Sequence, residues 1–222
     1  MTPIKAIIFD LDGTLIDTLD DISAALNHAL SSTGFDGVTR EQTRQFVGRG
    51  VRELIKSAAP TASAEQREGI LVAYMAHYSK GLMNCTRPYE GIIDAVNRLS
   101  KAGFMLAVLS NKPHKQTRRL AEAFFGEGVF AAICGQREDM RRKPDPQVPL
   151  LICEQLGVAA SEAVFVGDSE TDIQTGRNAG MRTYGVTWGF RSAQVLMAEG
   201  ADFVVGSPCE LAELIMKTRG VL

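Results

Sequence analysis

The sequence has little of what marks a disulfide-held or zinc-binding protein. Its four cysteines, Cys85, Cys134, Cys153 and Cys209, form no Cys-x-x-Cys pair and no compact Cys/His cluster. A disulfide framework and a zinc site are therefore both disfavoured, and buried free thiols in a reducing cytoplasm are expected. The three histidines are scattered. His28 and His77 fall in helical-looking stretches, and His114 follows a site segment described below but is a weak candidate alone. An excess of one charge is also missing. Lys plus Arg number 24 and Asp plus Glu 26, a formal net charge of -2, which speaks against a nucleic-acid or membrane-surface binder. No apolar run approaches the ~20 residues of a membrane span. The longest, such as Ala6–Phe9 and Ala163–Val166, have strand length. No basic segment followed by a long apolar one opens the chain, so no secretory signal is expected. Internal repeats and low-complexity segments are absent.

What remains is an ordinary globular composition, 45% hydrophobic and 23% charged over 222 residues, long enough for one core with room for an insert. Short apolar, β-branched runs recur at Lys5–Phe9, Met105–Leu109, Ala131–Cys134, Ala163–Val166, Thr183–Val186 and Asp202–Val205. Such runs suit strands covered on both faces. Helical patterns lie between them. Ile92–Ala102 is followed by Gly103, and Pro146–Leu156 by Gly157. His114–Phe125 follows the same logic, Ser169 has the character of an N-cap, and Ser207-Pro208-x-Glu210 is a capping box with proline at the first helical position. Strand and helix in alternation predict a parallel sheet with helices on both faces. From about Thr18 to Asn84 no strand is convincing. Helix starts fall at Thr18, Thr39 (with Gln42), after Gly50, and at Ser63 (with Gln66). The expectation is an all-helical insert, residues 17–86, leaving residues 1–16 and 87–222 as an α/β core.

Ligands of open α/β sheets bind beyond the carboxyl ends of the strands. Asp10 and Asp12 stand where the first strand runs out, and a period of two lets both side chains face one side. Gly13 permits a turn and Thr14 offers a hydroxyl. Two carboxylates so close need compensation, either from a divalent cation, for which Mg²⁺ with its preference for oxygen suits, or by one of them holding a proton. The alternative is a plain turn with a helix cap, which the same residue types favour. Later strand ends shift the balance. One carries Ser110-Asn111-Lys112-Pro113, whose hydroxyl and amides suit a phosphate oxygen or a helix cap. The next is followed by Arg142-Lys143-Pro144-Asp145-Pro146, where prolines are expected to hold Lys143 in an extended, stiff segment. Another ends in Gly167-Asp168, with Asp172 one turn on, either a site residue or the N3 partner of Ser169. Together these supply a nucleophile, an acid, phosphate ligands and a metal site.

These motifs resemble the haloacid dehalogenase superfamily, in its phosphatase branch, over essentially the whole chain. Asp10-x-Asp12-Gly13-Thr14, Ser110, Lys143 and Gly167-Asp168-x-x-x-Asp172 match the family's four motifs in order. The resemblance implies a Rossmann-like parallel sheet, strand order 5-4-1-2-3, with a helical cap after the first strand. It implies Asp10 as nucleophile, Asp12 as acid and base, and Lys143 as a catalytic cation. Thr14, Ser110, Asn111 and Lys143 would hold phosphate. Mg²⁺ would sit on Asp10, Asp168 and the backbone carbonyl of Asp12, with Asp172 orienting Lys143 or the metal shell. The cap turn Gly48-Arg49-Gly50 would read the leaving group. The segments Phe46-Val47-Gly48-Arg49-Gly50, Arg87-Pro88-Tyr89-Glu90-Gly91, Ser110-Asn111-Lys112-Pro113, Arg142-Lys143-Pro144-Asp145-Pro146 and Gly185-Val186-Thr187-Trp188-Gly189-Phe190 point to the phosphoglycolate phosphatase type. Two departures bear on the substrate: Arg49 replaces a small polar residue, and Gly135-Gln136-Arg137-Glu138 lacks the Gly-Gly-Asp run often found there. The implied partner is a small phosphorylated metabolite, with no nucleic acid or membrane, and monomer and homodimer are both open. A sugar-phosphate mutase, a pyrophosphatase or a nucleotidase of the same superfamily is the alternative. Asp12 argues against a dehalogenase, whose halide leaves without a proton, and the intact motif set against a non-catalytic protein.

Overall fold

The structure is a computed structural model and describes residues 2–218; the outermost positions of the expected core segments, residue 1 and residues 219–222, lie outside that range. The chain divides into two compact units. Asp17–Arg87 forms one, and the sequence on either side of it forms the other.

The larger unit is built on a sheet. Its strands are β1 (Ala6–Phe9), then, counting in chain order past β2 (Ile16–Asp17) and β3 (Arg87–Pro88), β4 (Met105–Pro113), β5 (Ala132–Gln136), β6 (Ala163–Gly167), β7 (Arg182–Val186) and β8 (Phe203–Val205). The order is β5-β4-β1-β6-β7-β8, with every pairing parallel. Setting aside β2 and β3, which pair with each other at the two crossings between units, this is the expected five-strand order with a sixth strand added at one edge. Strand β1 is central because nothing in it is polar. Ala6, Ile7, Ile8 and Phe9 are all fully buried, and each large side chain contributes about 1.5–3 kcal/mol by leaving water. Alternation splits them between faces. Ala6 and Ile8 join Ala107, Leu109, Phe165 and Ile152 in one cluster.

The helical unit contains α1 (Leu19–Ser32), α2 (Arg40–Phe46), α3 (Val51–Ala58) and α4 (Ala64–Lys80). Their N-caps are Thr18, Thr39, Gly50 and Ser63, and both capping boxes, Thr39 with Gln42 and Ser63 with Gln66, are formed. Burial of Asp21 on α1 was not legible in the sequence. Its carboxylate accepts from the backbone N–H of Cys85 (2.9 Å) and of Thr86 (2.8 Å) and from the Thr86 hydroxyl (2.7 Å). This carboxylate fastens the end of the unit to its first helix with charge-assisted bonds.

The core helices are α5 (Ile92–Lys101), α6 (His114–Phe125), α7 (Gln147–Leu156), α8 (Glu170–Asn178), α9 (Ala193–Ala198) and α10 (Pro208–Lys217). Gly103 and Gly157 both take positive φ just past α5 and α7, the left-handed stop expected of them. The thiol expectation needs correction. Cys153 is buried and Cys134 half-buried, but Cys85 and Cys209 are exposed, though all four are free. Cys85 lies in the exit segment and Cys209 on the solvent side of the first turn of α10, where no core packs against them. No helix among the described residues is long and apolar enough to cross a membrane.

Candidate active site

Four strand ends deliver the chemistry. Strand β1 hands on to Asp10, whose N–H donates to the Val166 carbonyl on β6 at 2.8 Å. That bond brings the first acidic motif beside Asp168 at the end of β6. Asp10, Asp168 and Asp172 are all buried, and one carboxylate oxygen from each lies within 4.8 Å of the others. Gly13 makes the convergence possible. Its φ is +88°, and a Cβ there would run into the Asp168 carboxylate, so only glycine fits the turn.

Each acid has a distinct environment. Asp10 Oδ1 is 2.8 Å from Lys143 Nζ, an ion pair that lacks hydrogen-bond angles and leaves this buried oxygen without a hydrogen-bond partner. Burial first, and then the Asp172 charge, push the Asp10 carboxyl up to about 7, against the pull of Lys143. Asp168 accepts from the Phe190 N–H (2.7 Å) and the Thr14 hydroxyl (3.2 Å). Burial, with the charges of Asp172 and Asp10, raises it well above the usual carboxylate range. Asp172 does both things its position allowed. Oδ2 accepts from the Ser169 N–H and hydroxyl, capping α8, while Oδ1 takes a 2.6 Å bond from Lys143 Nζ. Burial alone would push the Lys143 ammonium down, but the charges of Asp10 and Asp172 more than reverse that and leave it raised.

Three carboxylates against one ammonium leave a buried excess of negative charge with an oxygen-only donor set. Such a cradle fits a hard divalent cation, and an unpartnered Asp10 oxygen is the kind of atom that would ligate it.

Several site residues lie where the sequence placed them but are used differently. The Asp12 carboxylate is outside the acidic cluster; both its oxygens accept from Lys112 Nζ, at 2.9 and 2.8 Å. Like charge repels it from Asp10, and a cation from the neighbouring strand draws it away. The Asn111 amide is committed to the Lys143 backbone. It donates to the Lys143 carbonyl (3.2 Å) and accepts from its N–H (3.0 Å), so it mounts Lys143 instead of facing phosphate. The Thr14 hydroxyl is spent on Asp168. The Lys143 segment is turned rather than extended, closed by the Asp145 N–H on the Arg142 carbonyl at 2.9 Å; proline and aspartate favour turns as readily as extension. Ser110 is buried, and its oxygen accepts from the Lys112 N–H (3.3 Å), which leaves its proton to donate. His114 accepts from the Gly135 N–H (3.3 Å) and is lowered by burial and then by Arg137 and Arg118, a packing role.

Strand β4 continues to Pro113 because its register against β5 shifts. Leu109 faces Cys134 but Pro113 faces Gln136. Beyond the irregularity, the Asn111 side chain reaches the Lys143 backbone and the Lys112 side chain the Asp12 carboxylate. The segment Thr187–Phe190, to which the sequence pattern assigns no role, also reaches the site. Its Trp188 indole donates to the Thr14 carbonyl (3.0 Å) and its Phe190 N–H holds Asp168. The signal was its place, directly beyond β7. In the helical unit, Gly48 (φ +119°) and Gly50 (φ +89°) flank an exposed Arg49 in the turn between α2 and α3.

A parallel sheet with acidic, hydroxyl and lysine residues gathered at its strand ends in this order defines a hydrolase of the haloacid dehalogenase type. The chain belongs to the haloacid dehalogenase-like hydrolase family, whose model matches residues 7–186. Among curated relatives it is 36% identical over 96% of its length, and 97% of the relative's, to a phosphoglycolate phosphatase of Mesorhizobium japonicum. It is also 31% identical to the N-acetylmuramic acid 6-phosphate phosphatase of Pseudomonas aeruginosa, covering 96% of this chain and 95% of that protein. A crystal structure from Lactobacillus delbrueckii subsp. bulgaricus, provisionally named a phosphoglycolate phosphatase, superposes with a TM-score of 0.90 at 33% identity, covering 96% of this chain and 99% of that one.

Proposed function

We propose that the protein is a Mg²⁺-dependent phosphomonoester hydrolase of a small phosphorylated metabolite, with 2-phosphoglycolate the first substrate, working through an aspartyl-phosphate. One observation carries this reading. Three buried carboxylates from two neighbouring strand ends lie within 4.8 Å of one another, and Lys143 touches two of them.

Asp10 attacks phosphorus as the P–O bond to the leaving group breaks, forming an acyl phosphate. Asp12 delivers its proton to the departing oxygen, then takes one from the water that cleaves the Asp10–phosphorus bond and returns Asp10 as carboxylate. Ser110 donates to a nonbridging phosphoryl oxygen, and Lys143 offsets the charge that builds there. Asp10, Asp168 and Asp172, with the Asp12 carbonyl, would hold the cation, which neutralises phosphoryl charge when bound. Arg49 would pair with an anionic or polyhydroxylated leaving group, and the helical unit would act as the cap.

The reading is tested with a panel of phosphorylated metabolites assayed with and without Mg²⁺. 2-Phosphoglycolate is expected to show the highest kcat/KM, with phosphate released stoichiometrically and activity abolished by chelation. Isomer interconversion without net phosphate release would favour the mutase. Preference for pyrophosphate or nucleotides would favour the other family activities.

A second measurement reads the cation site without turnover. Asp10 and Asp168 are both raised, so above the ordinary carboxylate range the native state still holds protons that the unfolded chain has released. Metal-free stability should therefore fall as pH rises toward and past about 7. A divalent cation replaces those protons. At a hundredfold excess over Kd it should add about 2.7 kcal/mol, or roughly 5–10 °C in Tm for a chain of this size. The gain should be larger at about pH 8 than at about pH 5. Differential scanning fluorimetry showing no Mg²⁺-dependent shift at either pH would count against a cation site.

A further inference from the structure

Lys112 lies in a segment that carries the family resemblance, but the resemblance assigns it no role, and its contact is with Asp12. Lys112 comes from β4, next to β1 in the sheet. Its ammonium reaches both Asp12 carboxylate oxygens, at 2.9 and 2.8 Å. The side chains are 4% and 12% exposed, so neither is a solvent-screened surface partner. The lysine is firmly mounted. Its N–H donates to the Ser110 hydroxyl oxygen at 3.3 Å. Its carbonyl accepts from the Thr117 hydroxyl at 3.1 Å and packs against Gly135 so closely that a Cβ there would lie 2.7 Å from it.

We propose that Lys112 is a positioning residue for the acid–base step. It holds the Asp12 carboxyl apart from the three-carboxylate cluster and aimed at the leaving-group oxygen. The proposal rests on the phosphatase reading above and adds to it. The reason is electrostatic. Asp12 is two residues from Asp10, and a bound cation would draw an unrestrained Asp12 carboxylate into its shell, where it could not exchange a proton with the leaving group. A cation of fixed position on the far side prevents that, and a two-point grip sets the carboxyl's rotation as well as its place. Proton transfer falls steeply when donor and acceptor leave hydrogen-bond reach.

A positioning role through Asp12 makes a specific demand. Removing Lys112 must hurt most where the leaving group most needs a proton. Lys112→Met is close in volume and keeps the apolar stem. The test compares kcat/KM, which ends at the first irreversible step, for 2-phosphoglycolate and for p-nitrophenyl phosphate, whose phenolate leaves without help. The holoenzyme with saturating Mg²⁺ is used throughout. The variant is expected to lose about 100-fold on the alkyl ester and less than about 10-fold on the aryl ester, within the range for acid–base assistance. Lys112→Arg, whose fork also grips a carboxylate at two points, should recover much of the alkyl activity. In an Asp12→Asn background, Lys112→Met should cost little more, because the residues act as a unit. Equal losses on both esters, or full additivity with Asp12→Asn, would overturn the positioning role and leave the phosphatase reading standing. A wild-type enzyme inert toward both esters would remove both. A misfolded Lys112→Met variant would also lose both activities, so its losses are read only with a wild-type Tm; if it melts early, Lys112→Gln with a wild-type Tm is read against the same two outcomes.

Discussion

Asp10→Asn is expected to abolish phosphate release, by at least about 1,000-fold in kcat, while the fold survives intact. An amide in place of the carboxylate cannot form the bond to phosphorus, and no other carboxylate can take over. Asp168 is tied to Phe190 and Thr14, Asp172 to Ser169 and Lys143, and Asp12 to Lys112. The stability side runs in the opposite direction to a typical core substitution. Asp10 is pushed up to about 7, first by burial and then by Asp172, so keeping it ionised at higher pH costs the native state free energy. Replacing it removes that cost, and Lys143 keeps its 2.6 Å bond to Asp172. Without metal at about pH 8, the variant should melt no lower than the wild type, and its Mg²⁺-dependent gain in Tm should shrink. Circular dichroism melts alongside a phosphate-release assay check both halves. An Asp10→Asn protein that retains more than about one part in a hundred of wild-type kcat would require another nucleophile.

Lys143→Met should be damaging twice over. Lys143 is the counter-charge for Asp10 and Asp172, at 2.8 and 2.6 Å. Breaking a buried ion pair by removing one partner typically costs about 3–5 kcal/mol, because the remaining charges stay buried and unpaired. Its loss from the transition state should cost about 100- to 1,000-fold in kcat, the range for a donor aimed at developing oxyanion charge. The pH dependence separates this from simple loss of packing. Lys143 holds the Asp10 carboxyl down, so without it Asp10 takes its proton at higher pH than in the wild type, and the gap in stability between variant and wild type should narrow as pH falls from the alkaline side toward about 7. A cavity left by a neutral side chain would keep the gap constant. Bound Mg²⁺ should narrow it as well, since it supplies part of the missing positive charge.

The contrast between Lys143 and Lys112 shows how much was legible in the sequence. Apolar strand runs and capping residues are local signals. They located β1, β4, β6 and α1 to α4, the last through Thr18, Thr39, Gly50 and Ser63. The strand-end rule then placed Asp10, Ser110, Lys143 and Asp168 near one point, because a parallel sheet carries all its carboxyl ends to the same edge. Partner choice was not legible. Asp12 and Lys112 are separated by a hundred residues, and their pairing depends on the register between β1 and β4 together with the bulge after Leu109. Nothing in the local pattern announces either. The same holds for Asn111, which looks like a phosphate ligand by its neighbours but is used on the Lys143 backbone. It holds again for Asp21, a buried carboxylate in a helix that would read as an ordinary acidic first turn.

The departures from the phosphoglycolate phosphatase pattern fall on the parts that would recognise the leaving group. Arg49 stands exposed between two glycines whose positive φ only glycine accepts readily. The residues that would handle phosphorus, by contrast, are buried and mutually bonded. Under the proposed reading, chemistry and specificity would rest on different residues.

The central claim is that Asp10 carries the phosphoryl group between substrate and water. The most direct measurement is rapid acid quench of the enzyme turning over a phosphorus-labelled substrate, followed by peptide mapping. The account predicts label on the peptide that contains Asp10, in a hydroxylamine-sensitive acyl phosphate, absent from Asp10→Asn and dependent on a divalent cation. Steady turnover with no label on the protein at any quench time, or label on a different residue, would contradict it.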